Sequence, residues 1–356
     1  MRVIIGDRFG KIIAEIVADV EGVSWVLNSI GKSRITLSTD DPKCTAENLE
    51  IGNRIYFEFD NGLPAWGGVL DLPRDWEGGT VSMTAYTIAE LLKTRKTRKT
   101  HAFYEKSAGV IFRDLLIQEE REDPMGITIG SIWKGGHSHW PRYHYKSLWY
   151  VLDYSLRRME RCDFTFTPYL SNGHIRFRAD FYQVVGDDLS TSVELLEGKN
   201  TASGLKLREH GEIINSYTAV GEGSTWGPER VVIVARDLNS IAKYGLREKG
   251  KVIPGVSQTA TLTMHARQAI DQYSAPRKLF TLPVLNLEPA LFAGYRLGDT
   301  IGCTLPSFGF DGFEGTVRVL GREFDPMTGE CDLVVEEARA IEPWIYDEDI
   351  EEEETA

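Results

Sequence analysis

Three histidines fall within eight residues of one another, at His137, His139 and His144 in the run HSHWPRYH. Neutral imidazoles held close together can bind zinc or iron, so this run is where metal chemistry would be sought first. It follows two glycines, contains a proline and lacks the HExxH spacing that sets two ligands on one helix face, so it reads as a loop without a metal. Histidines among aromatics in a loop suit a contact with another subunit or partner, and His137, His139, Trp140 and Tyr143 are the candidates. Acid–base chemistry has no better footing, because 53 Asp and Glu make accidental carboxylate pairs inevitable and no pair stands out. There is no Gly-x-Ser-x-Gly elbow, and GEGSTWG at residues 221–227 lacks the Gly-Lys-Ser/Thr ending of a phosphate loop. We expect no catalytic residues, no cofactor and no enzyme activity. A rival reading is a carbohydrate-cleaving or carbohydrate-binding component in which Trp66, Trp76, Trp133 and Trp140 stack on sugar rings.

The elements that would position such residues follow from composition and period. At 356 residues the chain exceeds what one core usually fills, and 42% hydrophobic residues exclude general disorder. Forty Lys and Arg against 53 Asp and Glu give a net charge of -13, which opposes tight binding to a phosphate backbone. The four cysteines are scattered without a CxxC pair, which fits reduced thiols, and no apolar stretch reaches the roughly 18 to 20 residues of a membrane span. We read the chain as assembled in a cytoplasm. Runs such as RVII, SRITLST, NRIYFEF and TVSMTAY alternate with period two between turn formers, which predicts antiparallel strands. Lys93 to Lys99, KTRKTRK, reads as a solvated basic hinge. Beyond it, Ala108, Ile111, Phe112 and Leu115 share one helical face, as do Leu148, Leu152, Leu156 and Met159. Strands return around the turn Ser171-Asn172-Gly173. A further helix at 262–274 carries a packing stripe of Leu262, Ala266, Ile270 and Tyr273. On its opposite face, His265, Arg267 and Asp271 are candidates for a subunit contact. The acidic end from Asp347 reads as a solvated tail.

The two strand-rich ends also resemble each other. Gly52-Asn53 matches Gly298-Asp299, and the later markers Gly67, Asp75 and Gly79 match Gly315, Asp325 and Gly329. One supersecondary unit used twice predicts two similar domains. The expected class is α+β and β-dominated: a first tube-like antiparallel β-barrel at 1–95, a helical insertion with returning strands at 96–200, a second barrel at 201–343, and a tail at 344–356.

The segment from Gly52 to Lys96, with AGVIFRDLLIQ, SLWYVLDYSLRRMERCDF, INSYTAVGEG, SIAKYGLREK, HARQAIDQYSAPRKLFTLPV and YRLGDTIGCTLP, resembles the tail hub proteins of siphophages over nearly all of residues 1–343. The resemblance implies a structural virion protein at the distal tail tip, a homotrimer with pseudo-sixfold symmetry that adapts a sixfold tube to a threefold tip. It implies contacts with the distal tail or tube protein, the tape-measure protein and a tip, spike or receptor-binding protein. DNA would pass through the lumen without tight binding. The alternative in the same lineage is the hub of a contractile injection system.

Overall fold

The computed structural model describes residues 1–97, 100–136, 141–157, 160–222, 230–253, 259–308 and 310–338. Its chain divides into two compact units, one of residues 1–206 with 280–338 and one of residues 207–279. This division differs from the expected boundaries near 95 and 200. The first strand region, the insertion and residues 201–206 and 280–338 of the second strand region share one unit, and the smaller unit, residues 207–279, is itself an insertion.

In the larger unit the period-two runs become one seven-stranded sheet. Its order is Ile12–Ile16, Arg2–Gly6, Arg54–Glu58, Trp66–Glu77, Thr80–Thr87, Lys32–Ser38 and Asp19–Glu21. Alternation sends Ile35, Leu37, Val81 and Met83 into one core. Arg2–Gly6 departs from alternation because both its faces are covered: Val3 and Ile5 enter that core, while Ile4 faces the insertion with Tyr56 and Val69. A strand buried on both sides reads as a continuous apolar run.

The insertion packs helix Ala108–Glu122 on the hairpin Asp163–Ser171 and His174–Tyr182. Asn172 and Gly173 close that hairpin at φ +50° and +72°, the left-handed pair that a two-residue turn requires. Leu148, Leu152 and Leu156 are all buried as the sequence predicts, yet Tyr150–Arg157 winds as a π-helix rather than an α-helix. The basic run is not a free hinge where it is described. Arg95 pairs with Asp123 at 2.9 Å, and Thr97 is fully buried with its N–H on the Lys146 carbonyl.

A second large sheet runs Glu194–Leu196, Thr300–Leu305, Phe313–Phe324, Cys331–Glu337, Arg277–Val284 and Lys206–His210, with Val23–Val26 added beside Phe313–Phe324. Among the described residues the hydrogen-bonded path of each large sheet is open at both ends, so neither is a closed barrel. The duplication, however, spans more than the sequence signals. Five strands of the first sheet and five of the second follow the same spatial order and the same chain order. The strand beyond them differs: Arg2–Gly6 is antiparallel to its neighbour and Glu194–Leu196 is parallel.

The smaller unit places helix Thr259–Tyr273 on a three-stranded sheet of Val232–Arg236, Ser216–Val220 and Glu248–Val252. Leu262, Ala266 and Ile270 are buried against Ile214, Tyr217 and Ala219, as the helical stripe requires.

The insertion core turns on Phe112, whose ring lies 5.0 Å from Phe181 and 6.0 Å from Phe164. Phe112→Ala should lower stability by about 3–5 kcal/mol in urea unfolding, through lost burial and an unfilled cavity.

Candidate assembly interface

The backbone treats the two repeat turns alike. The Gly52 N–H donates to the Leu70 carbonyl at 2.8 Å, and the Leu70 N–H donates to the Asn53 carbonyl at 2.9 Å. Gly298 and Asp299 make the same exchange with Val319, at 2.8 and 2.9 Å. Both glycines are left-handed, at φ +92° and +91°. Asn53 and Asp299 are buried and tie down the loops behind them. The Asn53 amide donates to the Glu47 carbonyl at 2.7 Å, and the Asp299 carboxylate accepts the Asp187 and Arg296 N–H groups at 2.8 Å each.

An arginine occupies the same rung in both copies, on opposite strands. Arg54 faces Val69, whereas Thr300 faces Arg318. Each closes on the carbonyl of its turn glycine, Arg54 Nη1 on Gly52 at 2.9 Å and Arg318 Nε on Gly298 at 3.1 Å. Burial, reinforced by nearby Arg95, lowers the Arg54 pKa to about 10. Two of the matched markers fall out of register. Gly67 faces Tyr56, but Gly315 faces Cys303, the rung that Trp66 fills in the first copy. Asp75 lies within a strand and pairs with Arg34 at 3.2 Å, whereas Asp325 opens a turn and accepts the Met327 N–H at 2.9 Å. Gly79 and Gly329 do correspond, entering the return strands at φ +86° and +76°.

The copies meet at a junction inside the larger unit. Val23–Val26 pairs antiparallel with Gly321–Phe324, and Trp25, Phe59, Phe324 and Phe292 form a chain of ring contacts of 5.4 to 6.3 Å. Arg322 is buried there with its guanidinium 4.6 Å from the Tyr295 ring and its Nη2 on the Tyr295 carbonyl at 3.2 Å. Beside them Asp163 gathers three donors: Arg318 Nη2 at 2.5 Å, Asn28 Nδ2 at 2.6 Å and the Val185 N–H at 2.9 Å. Asn28, left-handed at φ +56°, accepts the Phe164 N–H in return at 2.8 Å.

No protein-family model and no curated protein sequence matches the chain. Solved structures do. The prophage MuSo2 43 kDa tail protein from Shewanella oneidensis superposes with a TM-score of 0.64 at 12% identity, covering 94% of this chain and 97% of that one. The prophage tail protein gp18 from Listeria monocytogenes EGD-e gives 0.58 at 13% identity, covering 96% of each. The E. coli c3393 protein, a component of the type VI secretion system described as similar to T4 tail proteins gp27 and gp5, gives 0.54 at 11%, covering 93% and 77%. The fold is that of phage tail proteins.

Within this tail-protein fold, the residues expected at contacts are dispersed. His137, His139 and Trp140 lie outside the described residues. Tyr143 is buried with its hydroxyl 2.9 Å from Ser155 Oγ, and His144 is exposed with Nδ1 2.8 Å from Thr100 Oγ1. Of the outer face expected on the last helix, Arg267 and Asp271 are exposed but His265 is buried. Trp66 is buried and stacked on Phe57, Trp133 packs against the insertion core, and Trp76 alone of these three has a largely exposed ring. Burial pushes the Cys303 and Cys331 thiols up to about 12 and raises Cys162 as well, so these three stay protonated.

The turn glycines separate two costs. A Cβ at Gly52 would meet nothing within 4 Å, whereas at Gly298 it would lie 2.5 Å from the Val185 carbonyl oxygen. Gly52→Ala should cost about 1–2 kcal/mol from its backbone angle alone. Gly298→Ala should cost more in the same urea titration, because backbone must also shift.

Proposed function

We propose that the chain is a structural component of a phage tail, assembling as a homotrimer at the distal end of the tail tube. The observation that carries this reading is the five-strand element present twice in one chain. Three such chains about one axis offer six near-equivalent positions, which suits an adaptor between a sixfold tube and a threefold tip. The lengthwise likeness to prophage tail proteins supports the same role, and the net charge of -13 suits a channel that DNA passes without being held. Partners in this reading are a second and third copy, the tube or distal tail protein, the tape-measure protein and a tip, spike or receptor-binding protein. The work is mechanical and requires no catalytic residue.

A second reading, the hub of a contractile injection system, is favoured by the likeness to the type VI component. A sheath gene beside this one would decide for it. Of the four tryptophans in the carbohydrate reading, Trp66 is buried in the sheet core and could not stack on a sugar, whereas Trp76 is exposed.

Sedimentation velocity over a concentration series should give a species of three chain masses. A strictly monomeric chain at high concentration contradicts the proposal. Incubation with cell-wall polysaccharide should release no soluble sugar, and release would restore the enzymatic reading.

A further inference from the structure

The two copies differ at one sheet edge. In the second copy, Phe313–Phe324 pairs with Thr300–Leu305 only as far as Arg318, and past a bulge at Val319/Gly321 the same side receives Val23–Val26. In the first copy, Trp66–Glu77 pairs with Arg54–Glu58 only as far as Val69 and bulges between Asp71 and Arg74. Past that bulge, among the described residues, Arg74–Glu77 pairs with Thr80–Met83 on one side and with no strand on the other. Register through the return strands equates Arg74, Asp75 and Trp76 with Arg322, Glu323 and Phe324.

Corresponding side chains have opposite environments. Phe324 is 5% exposed in the junction's aromatic chain, whereas Trp76 is 65% exposed, and Leu72 in the bulge is 59% exposed. An unpaired strand edge beside exposed apolar side chains is a template for another strand.

The duplication also indicates the occupant. Val23–Val26 lies in the chain between Asp19–Glu21 and Lys32–Ser38, whose counterparts are Lys206–His210 and Arg277–Val284. What the second copy holds at that point is residues 211–276, nearly all of the smaller unit, whose three-stranded sheet ends in the edge strands Val232–Arg236 and Glu248–Val252. Residues 207–279 contain ten Lys and Arg against seven Asp and Glu in a chain of net charge -13, and residues 71–77 at the open edge carry Asp71, Asp75 and Glu77 against Arg74.

We propose that the free edge of Arg74–Glu77 receives an edge strand from the smaller unit of a second copy of this chain, with Trp76 covered by the contact. Copies alternating around a ring then make one kind of junction throughout, filled by Val23–Val26 within each chain and by the neighbour between chains. This rests on the trimeric reading, and the test separates the two.

Hydrogen exchange on the full chain, compared between assembled and diluted samples, should show Arg74–Glu77 amides exchanging at least tenfold more slowly in the assembly. Trp76→Lys should raise the concentration at which chains associate at least tenfold without moving the urea midpoint of the dissociated chain. Tyr104→Lys, another exposed aromatic, should leave both unchanged. Trp76→Cys combined with Val234→Cys or Val252→Cys should give disulfide-linked multimers under mild oxidation. Assembly with unprotected 74–77 amides overturns the proposal and leaves the trimer standing. Protection without cross-links to either strand overturns the assigned donor. Failure of the unaltered chain to associate at any concentration overturns the trimeric reading itself.

Discussion

Four residues from the beginning of the chain, Val23–Val26, hydrogen-bond along Gly321–Phe324 near its end, and the rest of the architecture depends on that crossing. A sheet ladder fixes both distance and rotation between the segments it joins. The two copies of the repeat are therefore held in one relation rather than linked flexibly. Asp163 locks that relation from the side, since its carboxylate binds the first half through Asn28 and the second through Arg318. The carboxylate and the guanidinium are both largely buried. Removing one partner of such a pair typically costs about 3–5 kcal/mol, because it strands the other charge.

A fixed relation between two similar halves is what a ring-forming adaptor needs. If the halves could rotate against each other, three chains would not present six comparable positions. The left-handed glycines contribute at a smaller scale. Each starts the meander with the same backbone exchange, so the central hairpins of both copies begin in the same register despite different side chains. Arginines on opposite strands satisfying equivalent glycine carbonyls show how far side chains can diverge while that backbone persists.

What the sequence made legible was local. Period-two runs, the Asn172-Gly173 turn and the stripes at Ile111, Phe112 and Leu115 or Leu262 and Ala266 marked real elements, because burial on one face writes its period into the chain. The duplicated Gly52 and Gly298 turns were legible for a different reason, since a left-handed φ restricts the residue type. Long-range pairing was not legible. Nothing near Val23 signals that it will lie beside Phe324. Lys206–His210 and Arg277–Val284 belong to the repeat but are separated by residues that fold as their own unit, so the matched glycines mark only three of its five strands. Matching glycines by spacing also placed Gly67 and Gly315 one rung apart, because loops of unequal length shift the count. The π-helix at Tyr150–Arg157 carries the same apolar stripe as an α-helix over two turns. The contact candidates rested on residue type and, for His265, Arg267 and Asp271, on the helix face opposite the packing stripe, and the buried Tyr143 and His265 show that neither determines exposure.

Electron microscopy of the assembled protein viewed down its symmetry axis tests the central claim most directly. The account predicts a ring of six similar β-rich densities related by exact threefold and approximate sixfold symmetry, with strand pairing continuous from chain to chain. Three separate densities with the two halves of each chain at unequal radius, or no closed ring at all, would contradict it.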